Sequence, residues 1–288
     1  MIPGSIDWID VLSSNLINLI GTSWFNIITF FGLWTIIWLP IALSIARLIN
    51  WQPNNSLAPQ QKLVLLASLY VLAPAVIFWK IERENLSFAD LGLSYSSGSL
   101  WYVLFGLTAS SLGLLVVFSL ETGGKLIDWH WRNIQQVPYL LLPILGLSLI
   151  ISLVEEAIFR GYVFSTLLLD NSPIVAAIAS SIIFAALHLI WERKQTTPQL
   201  PGLCLMGMVL VAARVFADDE IYLALGLHAG WIWGLTCIDS ANLLTYKHQD
   251  HWFTGIKQQP LAGMGGILCI AITGLAIWGA SSSRLLLF

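Results

Sequence analysis

Residues 137–161 read VPYLLLPILGLSLIISLVEEAIFRG, an apolar run that ends in two adjacent carboxylates and an arginine. A membrane-spanning helix needs about 20 mainly apolar residues, and this stretch is long enough to form one. Ionisable side chains at membrane depth are costly and are usually retained for a functional reason. Glu155, Glu156 and Arg160 are therefore candidate functional residues within a predicted transmembrane helix.

The composition extends this interpretation to the whole chain. Of 288 residues, 57% are hydrophobic and only 10% are charged, with a mean hydropathy of +0.79. Because soluble domains carry about 25% charged residues, the sequence excludes a soluble globular protein. It contains no basic cluster that would favour nucleic-acid binding. Cys204, Cys237 and Cys269 stand singly, which argues against a disulfide framework or a zinc knuckle.

Apolar stretches recur along the chain and predict an all-α fold, a polytopic membrane helix bundle with about eight transmembrane helices. The predicted spans cover residues 24–49, 62–80, 99–120, 137–168, 172–191, 199–216, 220–239 and 262–281. The fourth is expected to continue past Glu155 until Asn171-Ser172-Pro173 ends it, since proline cannot continue a helix. Near the N-terminus, apolar residues recur at helical spacing from Ile6 to Ile20 and predict an amphipathic helix.

The spacing within the carboxylate motif assigns different roles to the two glutamates. On an α-helix, residues four apart share a face, whereas neighbours point about 100° apart. Glu156 is therefore expected to pair with Arg160, and breaking that pair would strand a buried charge. Glu155 points elsewhere and is free to act on water as a general acid or base. The alternative is a purely structural ion pair at a helix end, with Glu155 among the lipid headgroups.

Two histidines lie in later apolar stretches. His188 closes the fifth predicted span near a membrane face, and His228 lies well inside the seventh, between Gly226 and Gly230. A histidine within the membrane needs a partner, and small neighbours allow another helix to approach it closely. Each has an ordinary alternative, an interfacial role for His188 and a packing role for His228.

Together these segments resemble the CAAX protease and bacteriocin-processing enzyme family, also called the CPBP or Abi family. Its motifs EExxxR, FxxxH and HxxxN/D follow in that order on successive membrane helices. Here they correspond to Glu155–Arg160, Phe184–His188 and the residues from His228 onward. Asp90-Leu91-Gly92-Leu93 resembles the LGL segment common in the family. The resemblance covers about residues 137–240, and the ordered set of motifs makes it specific.

The resemblance implies an intramembrane endopeptidase with a membrane-associated protein or peptide as substrate, the lipid bilayer as surroundings, and neither a cofactor nor nucleic acid as partner. Carried over, the first glutamate and the FxxxH histidine, Glu155 and His188, would activate a water. His228 would stabilise the oxyanion of the tetrahedral intermediate, while Glu156 and Arg160 would hold the site together. The expected regions are an amphipathic interfacial segment (1–23), N-terminal membrane helices and loops (24–136), the catalytic core (137–240), and a C-terminal loop with the last membrane helix (241–288).

The third motif departs from the family pattern. Ile232 stands four residues after His228, where an Asn or Asp is expected, and it cannot donate a hydrogen bond. Loss of one oxyanion donor typically costs about 10²–10³ in rate. Trp231 and Trp233 carry indole N–H donors, but at other angular positions on the helix.

Three alternatives to a metal-free protease therefore stay open. The first is a non-catalytic family member that acts as a membrane scaffold or regulator. The second is a small proton-coupled transporter that uses the same glutamate and histidines. The third retains proteolysis but places zinc on a His₂Glu set formed by Glu155, His188 and His228.

Overall fold

Helices make up most of the chain in the computed structural model, which describes residues 22–51 and 58–285. A π-helical segment, Ala157–Val163, joins the helix that ends at Glu156 to the helix that begins at Phe164 without interruption. The α-helices, α1 to α10 in chain order, are Thr22–Leu48, Pro59–Glu84, Ser99–Gly123, Val137–Glu156, Phe164–Leu168, Pro173–Leu187, Leu189–Thr196, Leu200–Phe216, Tyr222–Ser240 and Met264–Leu285.

The strands are short and lie in the connections at one end of the bundle. β1, Ile127–Trp129, pairs antiparallel with β2, Leu244–Tyr246, so that Asp128 lies opposite Thr245. β3, Asp250–His251, pairs antiparallel with β4, Gly255–Ile256. The first pair ties the connection after α3 to the connection after α9. Short 3₁₀ helices occupy Trp131–Gln136, Thr197–Gln199 and Pro260–Ala262.

The protein is an integral, multi-pass membrane protein with an all-α bundle, as its sequence predicted. Each of the eight predicted spans coincides with a long helical segment. Within the described residues, six helical segments are long and apolar enough to cross a membrane by themselves. Large apolar side chains point outward, including Ile36, 71% exposed, and Leu142, 77% exposed, which is the pattern expected of a surface covered by lipid. The amphipathic helix predicted within residues 1–23 lies almost entirely outside the described residues.

Close helix contacts at small residues position the centre of the bundle. α9 packs against α3, α4 and α8. A Cβ added to Gly106 of α3 would lie 2.6 Å from the backbone nitrogen of Leu227, and one added to Gly226 of α9 would collide with the backbone of Val103. The two glycines therefore bring the backbones of α3 and α9 into direct contact, a device typical of membrane helices.

Candidate active site

The two adjacent carboxylates lie at the point where α4 changes from α to π geometry. Glu155 and Glu156 are the last residues of α4, with exposed fractions of 8% and 0%. All seven residues of the following π-helix, Ala157–Val163, are buried. π-helical segments are rare and occur frequently at functional sites. The helix continues past Glu155 as the sequence predicted, but apolar spacing could not reveal the wider turn.

Glu156 is the centre of a buried charge cluster. The Nη1 atom of Arg160 lies 3.1 Å from Glu156 Oε1, and His228 Nδ1 donates to the same oxygen over 2.7 Å. Arg160 also donates to the Gly207 carbonyl over 3.3 Å, and its guanidinium carbon lies 4.5 Å from the centre of the Phe184 ring. The ion pair expected from the i, i+4 spacing is thus present, and it also holds His228 of α9.

Glu155 has one oxygen engaged and one oxygen without a partner. The hydroxyl of Tyr70, on α2, donates to Glu155 Oε1. Glu155 Oε2 is buried and has no hydrogen-bond partner among the described residues. It lies 3.7 Å from His228 Nε2, beyond hydrogen-bonding distance. Tyr70 therefore fixes the carboxylate, and one oxygen remains available to a ligand.

His188 lies where α6 ends and the chain turns into α7. Its Nδ1 atom is 2.8 Å from the Phe184 carbonyl. Because a carbonyl can only accept, Nδ1 carries the proton, and a neutral His188 presents a free lone pair on Nε2. The same argument applies to His228, whose Nδ1 donates to Glu156. His228 can donate from Nε2 only when both ring nitrogens are protonated.

A cavity of about 230 Å³ brings together residues from three separate helices, since Glu155, His188 and His228 all line it. No hydrogen bond joins Glu155 to His188 in the part of the chain that the structure describes. Ile232 and Trp231 lie in the same wall. A second cavity of about 490 Å³ lies beside the first, toward the connections that hold the strands. The residues that line both are Phe118, Gln199, Leu235, Pro260 and Leu261.

The segment that supplies these helices matches a known family. Residues 137–234 match the family model described as Type II CAAX prenyl endopeptidase Rce1-like. This segment is similar to the CAAX protease family. The match covers about a third of the chain, and it confirms the family resemblance predicted from the ordered motifs. Comparisons of the chain with curated proteins and with solved structures found no match.

Within the matched segment, Arg214 of α8 supports the π-helix from outside the charge cluster. It is 4% exposed and donates to the backbone carbonyl of Arg160. It also donates to the Ser165 hydroxyl over 2.9 Å and to the Asp90 carbonyl over 3.2 Å. Arg214 thus donates hydrogen bonds to backbone carbonyl groups around the π-helical turn that positions Arg160. Sequence reasoning missed this role because Arg214 lies 54 residues from its partner.

The LGL-like segment lies outside the matched residues and packs directly on the π-helix. Leu91 is fully buried, and a Cβ added to Gly161 would lie 3.1 Å from the Leu91 carbonyl. Gly92 has a φ of +69°, a conformation that favours glycine. The backbone N–H and the hydroxyl of Ser87 donate to Asp90 and lower the pKa of its carboxyl. These contacts fix the loop against the matched segment.

Glu121 is a cavity residue that sequence reasoning overlooked. It lies on α3, is 1% exposed, and lines the cavity beside Glu155. Its Oε2 atom is among the buried polar atoms without a partner. The predicted span ended at residue 120 and left Glu121 in the following connection, whereas α3 continues to Gly123. Burial, together with the nearby carboxylate of Glu121, raises the pKa of Tyr246 on β2.

Among the described residues, no three His, Cys, Asp or Glu side chains come close enough to form a set of metal ligands. Glu155, His188 and His228 nevertheless line one cavity. Because both Nδ1 atoms donate, to Phe184 and to Glu156, each histidine keeps Nε2, the nitrogen through which such a histidine can bind a metal.

Proposed function

We propose that this protein is an intramembrane endopeptidase that hydrolyses a peptide bond near the membrane surface. The observation that carries the proposal is the convergence of Glu155, His188 and His228 on one cavity. The adjoining second cavity supports a reaction near one membrane face, since its lining includes residues of the connections, such as Lys257 and Tyr246.

In the proposed reaction, Glu155 is the general base. Its Oε2 atom takes a proton from a water molecule, and the water oxygen attacks the carbonyl carbon of the scissile peptide. The lone pair on His188 Nε2 accepts the second hydrogen of the water and orients the attack. The carbonyl oxygen becomes an oxyanion, and the tetrahedral intermediate then expels the amine, which receives its proton from Glu155. The net reaction consumes one peptide bond and one water molecule and gives a carboxylic acid and an amine.

Glu156 and Arg160 are positioning residues in this scheme. Glu156 holds His228 through Nδ1, so that Nε2 is the ring nitrogen left to face the developing oxyanion. Preorganised donors of this kind act most strongly where water is excluded. The burial of both side chains, 0% exposed for Glu156 and 1% for Arg160, supports this assignment.

The substrate class is tested with purified protein in proteoliposomes. A library of peptides derived from a whole proteome is combined with farnesylated and unmodified peptides that end in a C-a-a-X motif. Cleavage is followed by mass spectrometry for the native chain and for Glu155→Gln. New termini that require Glu155 are expected. Equal cleavage by both proteins would contradict the assignment of Glu155, and the absence of cleavage by the native chain would contradict the proposed activity.

A second candidate function is supported by one observation, the apolar side chain of Ile232 in the cavity wall. A non-catalytic scaffold or regulator would not need a donor at this position. In that case Glu155→Gln would rescue a deletion phenotype as well as the native chain does. Loss of rescue in the variant, at matched protein levels, favours the protease.

The proposed mechanism uses no metal ion. Dialysis against 1,10-phenanthroline should therefore leave the cleavage rate unchanged. A loss of activity that added zinc restores would assign Glu155, His188 and His228 to a zinc site instead.

A further inference from the structure

The indole of Trp231 is a buried hydrogen-bond donor that has no partner in the described residues. Trp231 lies on α9, is 5% exposed, and lines the cavity with Glu155 and His228. Its Nε1 atom is buried and unpaired. Buried indole N–H groups usually find a partner, and leaving one unsatisfied destabilises the protein. An unpaired donor in a cavity wall points to a ligand that supplies the acceptor.

The neighbouring tryptophan is not available for such a role. Trp233 Nε1 donates to the Leu141 carbonyl over 2.9 Å. Trp231 is three residues after His228 and Ile232 is four residues after it, so both lie on the face of α9 that carries His228. The sequence alone could not tell which of the two indoles has a free N–H group. In the structure, the N–H group of Trp233 is engaged and that of Trp231 is not.

The other neutral donors of the cavity wall are already engaged. Gln199 Nε2 donates to the Gln195 carbonyl and to Gln259 Oε1, each over 3.1 Å. Thr196 donates to the His188 carbonyl over 3.4 Å. Among the amide, hydroxyl and indole side chains of the described lining residues, the Trp231 indole is therefore the donor without a partner.

We propose that Trp231 Nε1–H donates to the carbonyl oxygen of the scissile peptide and stabilises the oxyanion together with His228. This inference rests on the proposed function. The indole supplies the donor that Ile232 cannot supply. It is a donor only, so its N–H bond stays intact throughout. When water attacks the carbonyl carbon, the C=O π electrons move to oxygen, and the indole hydrogen bond strengthens as the negative charge develops.

The test compares Trp231→Phe with a matched control, Trp233→Phe, using a library peptide that the native protein cleaves. Trp231→Phe keeps an aromatic ring but removes the donor, so kcat is expected to fall about 10²–10³-fold with little change in KM. Trp233→Phe should instead lower the melting temperature, because it leaves the Leu141 carbonyl unpaired, and should retain most of kcat.

Two further measurements separate an oxyanion donor from a packing residue. Adding Ile232→Asn to Trp231→Phe places an amide donor in the same wall. The double variant should cleave the peptide at least about tenfold faster than Trp231→Phe does. A phosphinate analogue of the cleaved peptide, whose charged oxygen stands for the oxyanion, should bind Trp231→Phe more weakly by a factor similar to the loss in kcat/KM.

The outcomes distinguish this inference from the proposed function. If Trp231→Phe retains native kcat while Glu155→Gln is inactive, the indole role is wrong and the protease stands. The indole role is also wrong if activity is lost but neither the Asn rescue nor the change in phosphinate binding occurs. If the native chain cleaves no member of the library, the proposed function fails and the oxyanion role fails with it.

Discussion

Two polar clusters lie on opposite sides of the same π-helix, and they differ in how completely their atoms are paired. The Glu155 cluster consists of Glu155, Glu156, Arg160 and His228. The Lys80 cluster consists of Lys80, Glu84, Tyr162 and Thr29. Arg160 and Tyr162 are two residues apart on Ala157–Val163, so a single segment of chain contributes to both.

In the Lys80 cluster every polar side chain has a partner. Lys80 Nζ lies 2.6 Å from Glu84 Oε1 and donates to the Thr29 hydroxyl over 3.1 Å. The Tyr162 hydroxyl donates to Glu84 Oε1 over 3.0 Å. In the Glu155 cluster, by contrast, one oxygen of each glutamate has no hydrogen-bond partner, and a cavity adjoins Glu155. The comparison indicates that burial of polar side chains does not by itself identify a functional site. A buried polar atom that has no partner and lies beside a cavity is the more specific sign.

The largest expected difference between the two clusters is in the cleavage rate. Glu155→Gln removes the general base, so the cleavage rate should fall about 10²–10⁴-fold, while the variant unfolds at nearly the native temperature. The matched change in the other cluster, Glu84→Gln, should retain most of the rate. Both are measured on the same peptide in proteoliposomes. Comparable losses in the two variants would remove the functional distinction between the clusters.

The next largest difference is in stability, and it concerns the buried cations Arg160 and Lys80. Arg160→Ala leaves Glu156 charged and buried, which should lower the free energy of unfolding by about 3–5 kcal/mol. Lys80→Ala should cost less, about 1–3 kcal/mol, because the side chain of Glu84 is 17% exposed and water can reach it. Thermal unfolding in detergent measures both. An Arg160→Ala protein of native stability would contradict the ion-pair assignment.

Two tyrosines sharpen the comparison further, since each donates to a glutamate of its own cluster. Tyr70→Phe removes the donor that orients Glu155, and the loss of a charged hydrogen bond worth about 1.5–3 kcal/mol should lower kcat about 10–100-fold. Tyr162→Phe removes the donor to Glu84 and should lower stability without a specific loss of kcat. If the two variants exchange these phenotypes, the roles of the clusters are reversed.

The smallest effect concerns the loop that packs against the π-helix. The pKa of Asp90 is lowered in the folded protein by donation from Ser87. Its stabilising contribution is therefore present above the ordinary aspartate value of about 3.9 and is lost as the pH falls through the lowered value. Asp90→Asn should slightly lower the melting temperature at neutral pH, and the difference from the native chain should vanish in acid. A difference that stays constant with pH would show that this carboxylate contributes nothing through its charge.

The helices and the family could be predicted from the sequence, because both depend on local patterns. Apolar runs of spanning length fixed the positions of the helices, and Asn171-Ser172-Pro173 separates α5 from α6 as expected, with the Ser172 hydroxyl accepting from Val175. The pairing of Glu156 with Arg160 followed from their spacing.

The rest of the site depends on contacts between distant parts of the chain. Tyr70 reaches Glu155 across 85 residues, and nothing in the apolar sequence of α2 distinguishes it from a packing tyrosine. The same holds for the two indoles, since only the position of the Leu141 carbonyl separates Trp233 from Trp231. The π-helix escaped prediction because a change from four to five residues per hydrogen bond leaves the apolar composition unaltered.

The contact between Gly106 and Gly226 has a consequence for how the protein is made. α9 has 19 residues, yet it is not among the six described segments that are apolar enough to cross a membrane by themselves, because its sequence includes His228, Asp239 and several glycines. α3 precedes it in the chain and is among the six. During synthesis, α3 is therefore in the bilayer first and offers a fitted docking surface. We therefore expect α9 to enter the membrane by assembling on that surface, so that insertion of the helix carrying His228 and Trp231 depends on a partner made more than 100 residues earlier.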